Sequence, residues 1–159
     1  MIPSHQFENA VVLNPLTLAP ETQLVEAIAQ MSAVRAMCHT ADTEDRSWGE
    51  VHIDARSSCV LVVRNGQLLG IVTERDVVRL MAQHSTLDHL SVGDVMTHPV
   101  IALHETEFGD LFAAINLLQQ HRIRHLPLID KHNGGIGLLT HESLRKTARP
   151  VDLLRLRLM

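Results

Sequence analysis

The chain has 159 residues, enough for one compact domain or two small halves sharing a core. At 45% hydrophobic and 20% charged its composition is globular rather than disordered, and with 3% aromatics and no Tyr the core must be aliphatic. A net charge of −4 argues against a general nucleic-acid binder, which needs a broad basic face. Cys38 and Cys59 are not arranged as C-x-x-C and point to neither a disulfide framework nor a zinc knuckle, so a reducing compartment is expected. The longest apolar runs, near 60–63 and 68–72, are too short to span a bilayer. The opening MIPSHQFENAVV lacks the basic and apolar regions of a signal peptide, which makes the cytoplasm the expected location.

Taken in chain order, the predicted elements come round twice. After a lead-in of residues 1–14, PLTLAPETQLVEAI (15–28) predicts a short extended segment and then a helix starting near Thr22. Leu24, Ala27, Ile28 and Met31 recur there at helical spacing. The acidic stretch 37–56 has no period and reads as an inserted surface loop; its Trp48, the sole Trp, leaves a docking element as the alternative. VLVV, the turn RNGQ and LLGIV predict a hairpin, with Asn65-Gly66 as a strong two-residue turn, followed by a helix over 74–83.

The second round starts at PVIALHETEFGDLF (99–112), where Pro99, Glu105 and Thr106 fall on Pro15, Glu21 and Thr22 of the first. A helix is expected from near Thr106, with Phe108, Leu111, Phe112, Ile115 and Leu118 on one face. LPLI and GIGLL then flank residues 130–134, and a helix follows over 141–148. GIVTERDVVR (70–79) and GLLTHESLRK (137–146) also correspond, but the first lies further from its proline than the second does. The first copy is therefore the longer one, and the insert accounts for the surplus. VDLLRLRLM after Pro150 reads as a short docking helix or a linker. The expected fold class is α/β (α+β): two pseudo-symmetric repeats, 15–84 and 85–149, each a three-stranded sheet with helices on one face. Such a sheet cannot bury both faces alone, so a pseudo-two-fold pair is expected.

GIVTERDVVR, GLLTHESLRK and RIRHLPLID (122–130), in two copies and in this order, resemble a tandem pair of cystathionine-β-synthase (CBS) domains, often called a Bateman module, over roughly residues 14–148. The flanks FENAVVLNPLTLAP and ARPVDLLRLRLM are similar to those of the amino-terminal CBS pair of multidomain bacterial sensor kinases and diguanylate cyclases. The resemblance implies a regulatory module without catalysis. It would bind an adenine nucleotide (AMP, ADP or ATP) in the cleft between its copies and signal to an output domain of the same or a partner protein. It also implies a homodimer built on helical faces, for which Val77, Val78, Leu80 and Met81, or Ile115, Leu117 and Leu118, are candidates.

The resemblance also implies the binding residues. Thr73 and Asp76 fill its T-x-x-D pattern: the forked, acceptor-only carboxylate of Asp76 would take both ribose hydroxyls, and Thr73 with nearby N–H groups would hold phosphate, with Arg75 in reach. The same spacing makes a capping box, and the two readings stay open together. In the second copy Thr140 is kept but Ser143 replaces the acid. A serine bonds one hydroxyl and adds no charge, so at most one strong site, on Asp76, is expected. Arg122, Arg124 and His125 form a dense basic cluster. A basic pair before the L-P strand contacts phosphate in the family, whereas here it stands as Arg124-His125, and a solvated strand end is the alternative. Ser57 and Ser58 are read as the first-copy counterparts of that pair, and Leu16 completes the nucleotide-binding set.

No metal site is expected among the eleven histidines: neither of the close pairs, His121/His125 and His84/His89, has a nearby Cys or carboxylate at a known ligand spacing. No catalytic triad, P-loop or G-x-G-x-x-G stands out. A module that binds no nucleotide and serves only dimerisation or interaction is the competing reading, favoured by Ser143 and the insert.

Overall fold

The computed structural model describes residues 10–37, 55–83, 86–104, 111–130 and 135–147. Most of the expected insert with Trp48, the start of the second-copy helix at Thr106 and Phe108, and the VDLLRLRLM segment lie outside the described residues.

Asn65 and Gly66 take positive φ values of 51° and 76°, which closes the predicted hairpin with a twist that suits its strands. The strands are β2 (Cys59–Arg64) and β3 (Gln67–Thr73), antiparallel from Arg64 opposite Gln67 to Cys59 opposite Thr73. β1 (Thr17–Leu18) adds to β2 in parallel, a pairing that needs the crossover supplied by α1 (Leu24–Met37). Leu24, Ala27 and Met31 of α1 pack against Val60, Val62 and Val72, which share one sheet face by strand alternation. Val77 and Leu80 of α2 (Glu74–Gln83) pack against the same core, so the helices cover one face as predicted. Pro15–Val100 forms this compact unit.

The second unit comprises the described residues of Met1–Asn14 and Ile101–Met159. It repeats the sheet order with β4 (Leu103–His104), β5 (His125–Ile129) and β6 (Ile136–Thr140). α4 (Leu111–His121) and α5 (His141–Thr147) bring Leu111, Ile115, Leu118 and Leu144 against Leu126 and Leu139.

α4 ends in a way its sequence does not advertise. Arg122 adopts φ 52°, its N–H donates to Gln119 O (3.2 Å), and the Ile123 N–H reaches back to Leu118 O (3.0 Å). Ile123 also packs on the core that holds Leu118, which completes a Schellman stop. The left-handed position that glycine usually fills is held by an arginine, at a cost of about 1 kcal/mol. Arg122→Gly is therefore expected to raise the melting temperature by about 2–4 °C; an unchanged or lower value in a thermal melt counts against this account.

The leading segments differ from the expected repeat boundaries. Residues 86–100, assigned to the second repeat from sequence, pack in the first unit. There α3 (Val92–Val95) carries a Ser91–Asp94 capping box, and Val92 is buried in the core. The Leu90 carbonyl accepts from the Leu24 N–H (2.8 Å), satisfying a donor at the start of α1. Thr97 and Ile71 exchange two backbone bonds (2.9 and 3.1 Å), which extends β3. The lead-in does the same elsewhere: Val12 and Leu138 exchange two bonds (2.8 and 3.0 Å) on β6, in the second unit. Each repeat's final strand is thus completed by backbone that precedes the other repeat's proline, because a lone edge leaves N–H and C=O groups unpaired.

Candidate functional site

Thr73 is the last residue of β3, and α2 begins at the next position, so its side chain stands over the first turn of the helix. Its backbone N–H donates to Asp76 Oδ2 (2.9 Å), and its hydroxyl donates to the same oxygen (2.7 Å). The Asp76 N–H points back at Thr73 Oγ1 (3.4 Å). This is the capping box that the spacing allowed. The other oxygen, Oδ1, accepts from Arg79 one helical turn on (2.8 Å). Asp76 is only 8% exposed and is the one buried charged residue among the described residues. An acid held so far from water needs partners of this kind.

Sequence reasoning missed Arg79. The signal was present: a base three residues after the acid on a helix reaches its carboxylate. Arg75, by contrast, is exposed on the first turn of α2.

The equivalent corner of the second unit is neutral and closed. The Thr140 N–H donates to Ser143 Oγ (2.9 Å), the Ser143 N–H donates to Thr140 Oγ1 (3.0 Å), and the Ser143 hydroxyl donates to Thr140 O (3.0 Å). Both residues are buried. The hydroxyl that replaces the acid spends its proton on backbone.

The ladders correct one correspondence. His125 stands opposite Thr140, and Cys59 stands opposite Thr73. Cys59 is therefore the counterpart of His125, and Ser58 that of Arg124. The expected pair, Ser57 and Ser58, is one residue out, because the second hairpin is one residue longer between these positions. Ser57 is buried and Ser58 half-buried, and the Ser58 hydroxyl donates to Ala55 O (3.4 Å). Cys59 is a buried thiol whose Sγ lies 3.7 Å from the same carbonyl.

The basic pair splits by environment. Arg124 is exposed, and its carbonyl accepts from the His141 N–H (3.2 Å) at the start of α5. Burial, with a smaller push from the Arg124 charge, lowers His125 from 6.5 to about 4. With that shift His125 is neutral at pH 7 and able to hydrogen-bond a ligand. The Leu16 side chain packs in the hydrophobic core, and its carbonyl accepts from the Leu61 N–H (2.9 Å) beside β1. Thr73 and Asp76 thus meet within the first unit, while Arg124, His125, Thr140 and Ser143 belong to the second.

Among the described residues no group of three or more His, Cys, Asp or Glu could hold a metal ion, and no helix is long and apolar enough to cross a membrane.

Comparison with known proteins places this geometry. The inosine-5'-monophosphate dehydrogenase of Bifidobacterium longum is 30% identical over 145 residues, which cover 91% of this chain; the chain spans only 22% of that protein's length. A putative signal-transduction protein with CBS domains from Burkholderia ambifaria superposes with a TM-score of 0.60 at 25% identity, covering 85% of this chain and 82% of that one. A CBS domain protein from Pyrobaculum aerophilum, complexed with AMP, superposes at 0.63 and 19% identity, covering 91% and 92%. The family described as CBS domain matches residues 10–83 and again 92–149. Two matched copies over most of the length, each with the strand-to-helix corner described above, mean that this chain belongs to the CBS domain family as a pair of repeats.

Proposed function

We propose that the protein is a regulatory module that binds an adenine nucleotide at the Thr73–Asp76 corner and passes its occupancy to an output domain. One observation carries the reading: a buried carboxylate stands at this corner, where the second unit has only Ser143. An acid there can accept from a ribose diol and the serine cannot replace it, so binding is asymmetric, with one strong site. Support comes from the AMP complex of the Pyrobaculum aerophilum protein and from a related CBS pair solved with 5-methylthioadenosine and S-adenosyl-L-methionine. The output domain is part of the proposal, as is a homodimer in which exposed Val78 and Met81 of α2 (68% and 65%) meet a second copy.

Thermal unfolding with AMP, ADP and ATP tests this. A ligand at about 100 times its Kd adds roughly 2.7 kcal/mol, a rise of several degrees for a chain of this size. Asp76→Ala is expected to lose most of that rise for whichever nucleotide gives it. No shift with any of the three removes the nucleotide reading, and an equal shift in the variant moves the site elsewhere. The competing reading, interaction without ligand, draws on the fact that Asp76 already has Thr73 and Arg79 as partners. It predicts no shift and an unchanged oligomeric state when nucleotide is added.

A further inference from the structure

We propose that Arg79 competes with a ribose for the Asp76 carboxylate and thereby sets the affinity of the site. The inference rests on the nucleotide reading of that corner and adds its regulation. A carboxylate offers about four lone-pair positions. Three are taken: two on Oδ2 by the Thr73 N–H and hydroxyl, and one on Oδ1 by Arg79. A ribose diol brings two donors and finds one position open, so one existing bond must yield.

The bonds differ in what their loss costs. The Thr73 N–H is main chain at a strand end and would lose its acceptor, and the Thr73 hydroxyl helps hold the capping box of α2 together. The Arg79 side chain is 60% exposed and its pair with Asp76 spans one helical turn. Its guanidinium regains full hydration on leaving, and the ribose hydroxyls take over the buried carboxylate oxygen that it releases, so no charge is left unpartnered. Arg79 is therefore the group that gives way, and part of the binding free energy goes into breaking its bond. The second unit has no such gate, because Ser143 stands where the acid would be.

Calorimetric titration of adenosine, which carries no charge, isolates this competition from any phosphate contact. Arg79→Gln and Arg79→Ala are both expected to bind adenosine about two- to fivefold tighter than the parent at low salt, a modest gain because only the Arg79 end of the pair is exposed. Added salt screens the pair, so the parent is expected to gain affinity for adenosine while the variants stay level. Adenosine affinity equal to or weaker than the parent's in both variants overturns the proposal and leaves the nucleotide site standing. So does a loss confined to AMP, which makes Arg79 a phosphate contact. If neither adenosine nor AMP binds any of the three proteins, the nucleotide reading falls and the competition with it.

Discussion

Gly137→Ala is expected to destabilise the protein by about 2 kcal/mol, the middle of the range for overpacking, although alanine is the better residue for most strands. A Cβ at this position would sit 2.5 Å from Val11 Cγ1, and one at Gly70 would sit 2.6 Å from Met96 Cγ and 2.8 Å from Met96 Cβ. The two glycines occupy equivalent points of the two last strands, and each makes room for the side chain of the segment that completes its strand. Overpacking of this kind costs about 1–3 kcal/mol, against the roughly 0.5–1 kcal/mol that a glycine otherwise forfeits in a strand. Denaturant melts of single and double variants check the cause. Val11→Ala removes Cγ1 and is expected to rescue Gly137→Ala almost fully. Met96→Ala keeps its Cβ and is expected to rescue Gly70→Ala only in part. Additive losses in both pairs would refute the steric account.

Acidification from pH 7 to pH 5 is expected to cost about 2 kcal/mol through His125 alone. In the unfolded chain this histidine titrates near 6.5; in the fold, burial and the Arg124 charge hold it at about 4. Between those values the unfolded chain binds the extra proton and the native state does not. Stability from this group is therefore complete above about 6.5 and falls as pH drops towards 4. Urea melts at pH 7 and pH 5 measure the difference, and His125→Gln is expected to flatten most of it. An equally steep loss in that variant assigns the acid sensitivity to other groups.

The sequence disclosed those features whose signals are local. Asn65-Gly66 announced its hairpin because few residues tolerate two successive positive φ values. Leu24, Ala27 and Met31 announced α1 because burial of a helix stripe has its own period. Both corners, Thr73–Asp76 and Thr140–Ser143, were legible as pairs, and the cap reading is what the geometry realises. What stayed hidden depends on distant partners or on counting. Single backbone bridges such as Val12 to Leu138 leave no periodic trace. Arg122 in a left-handed stop looks like an ordinary surface base. The one-residue difference in hairpin length misaligned Ser57 and Ser58 with Arg124 and His125, and only strand register corrects it. Ser91-x-x-Asp94 carries a readable cap that a comparison of the two repeats overlooks.

The exchanged leading segments make the repeat and the stable fragment different objects. A gene truncated to residues 15–84 would drop Thr97 and expose the rim of β3, and one starting at residue 85 would drop Val12 and strip β6. Protein engineers who want half of this molecule should cut after Val100, and graft residues 10–14 onto the remaining half by circular permutation.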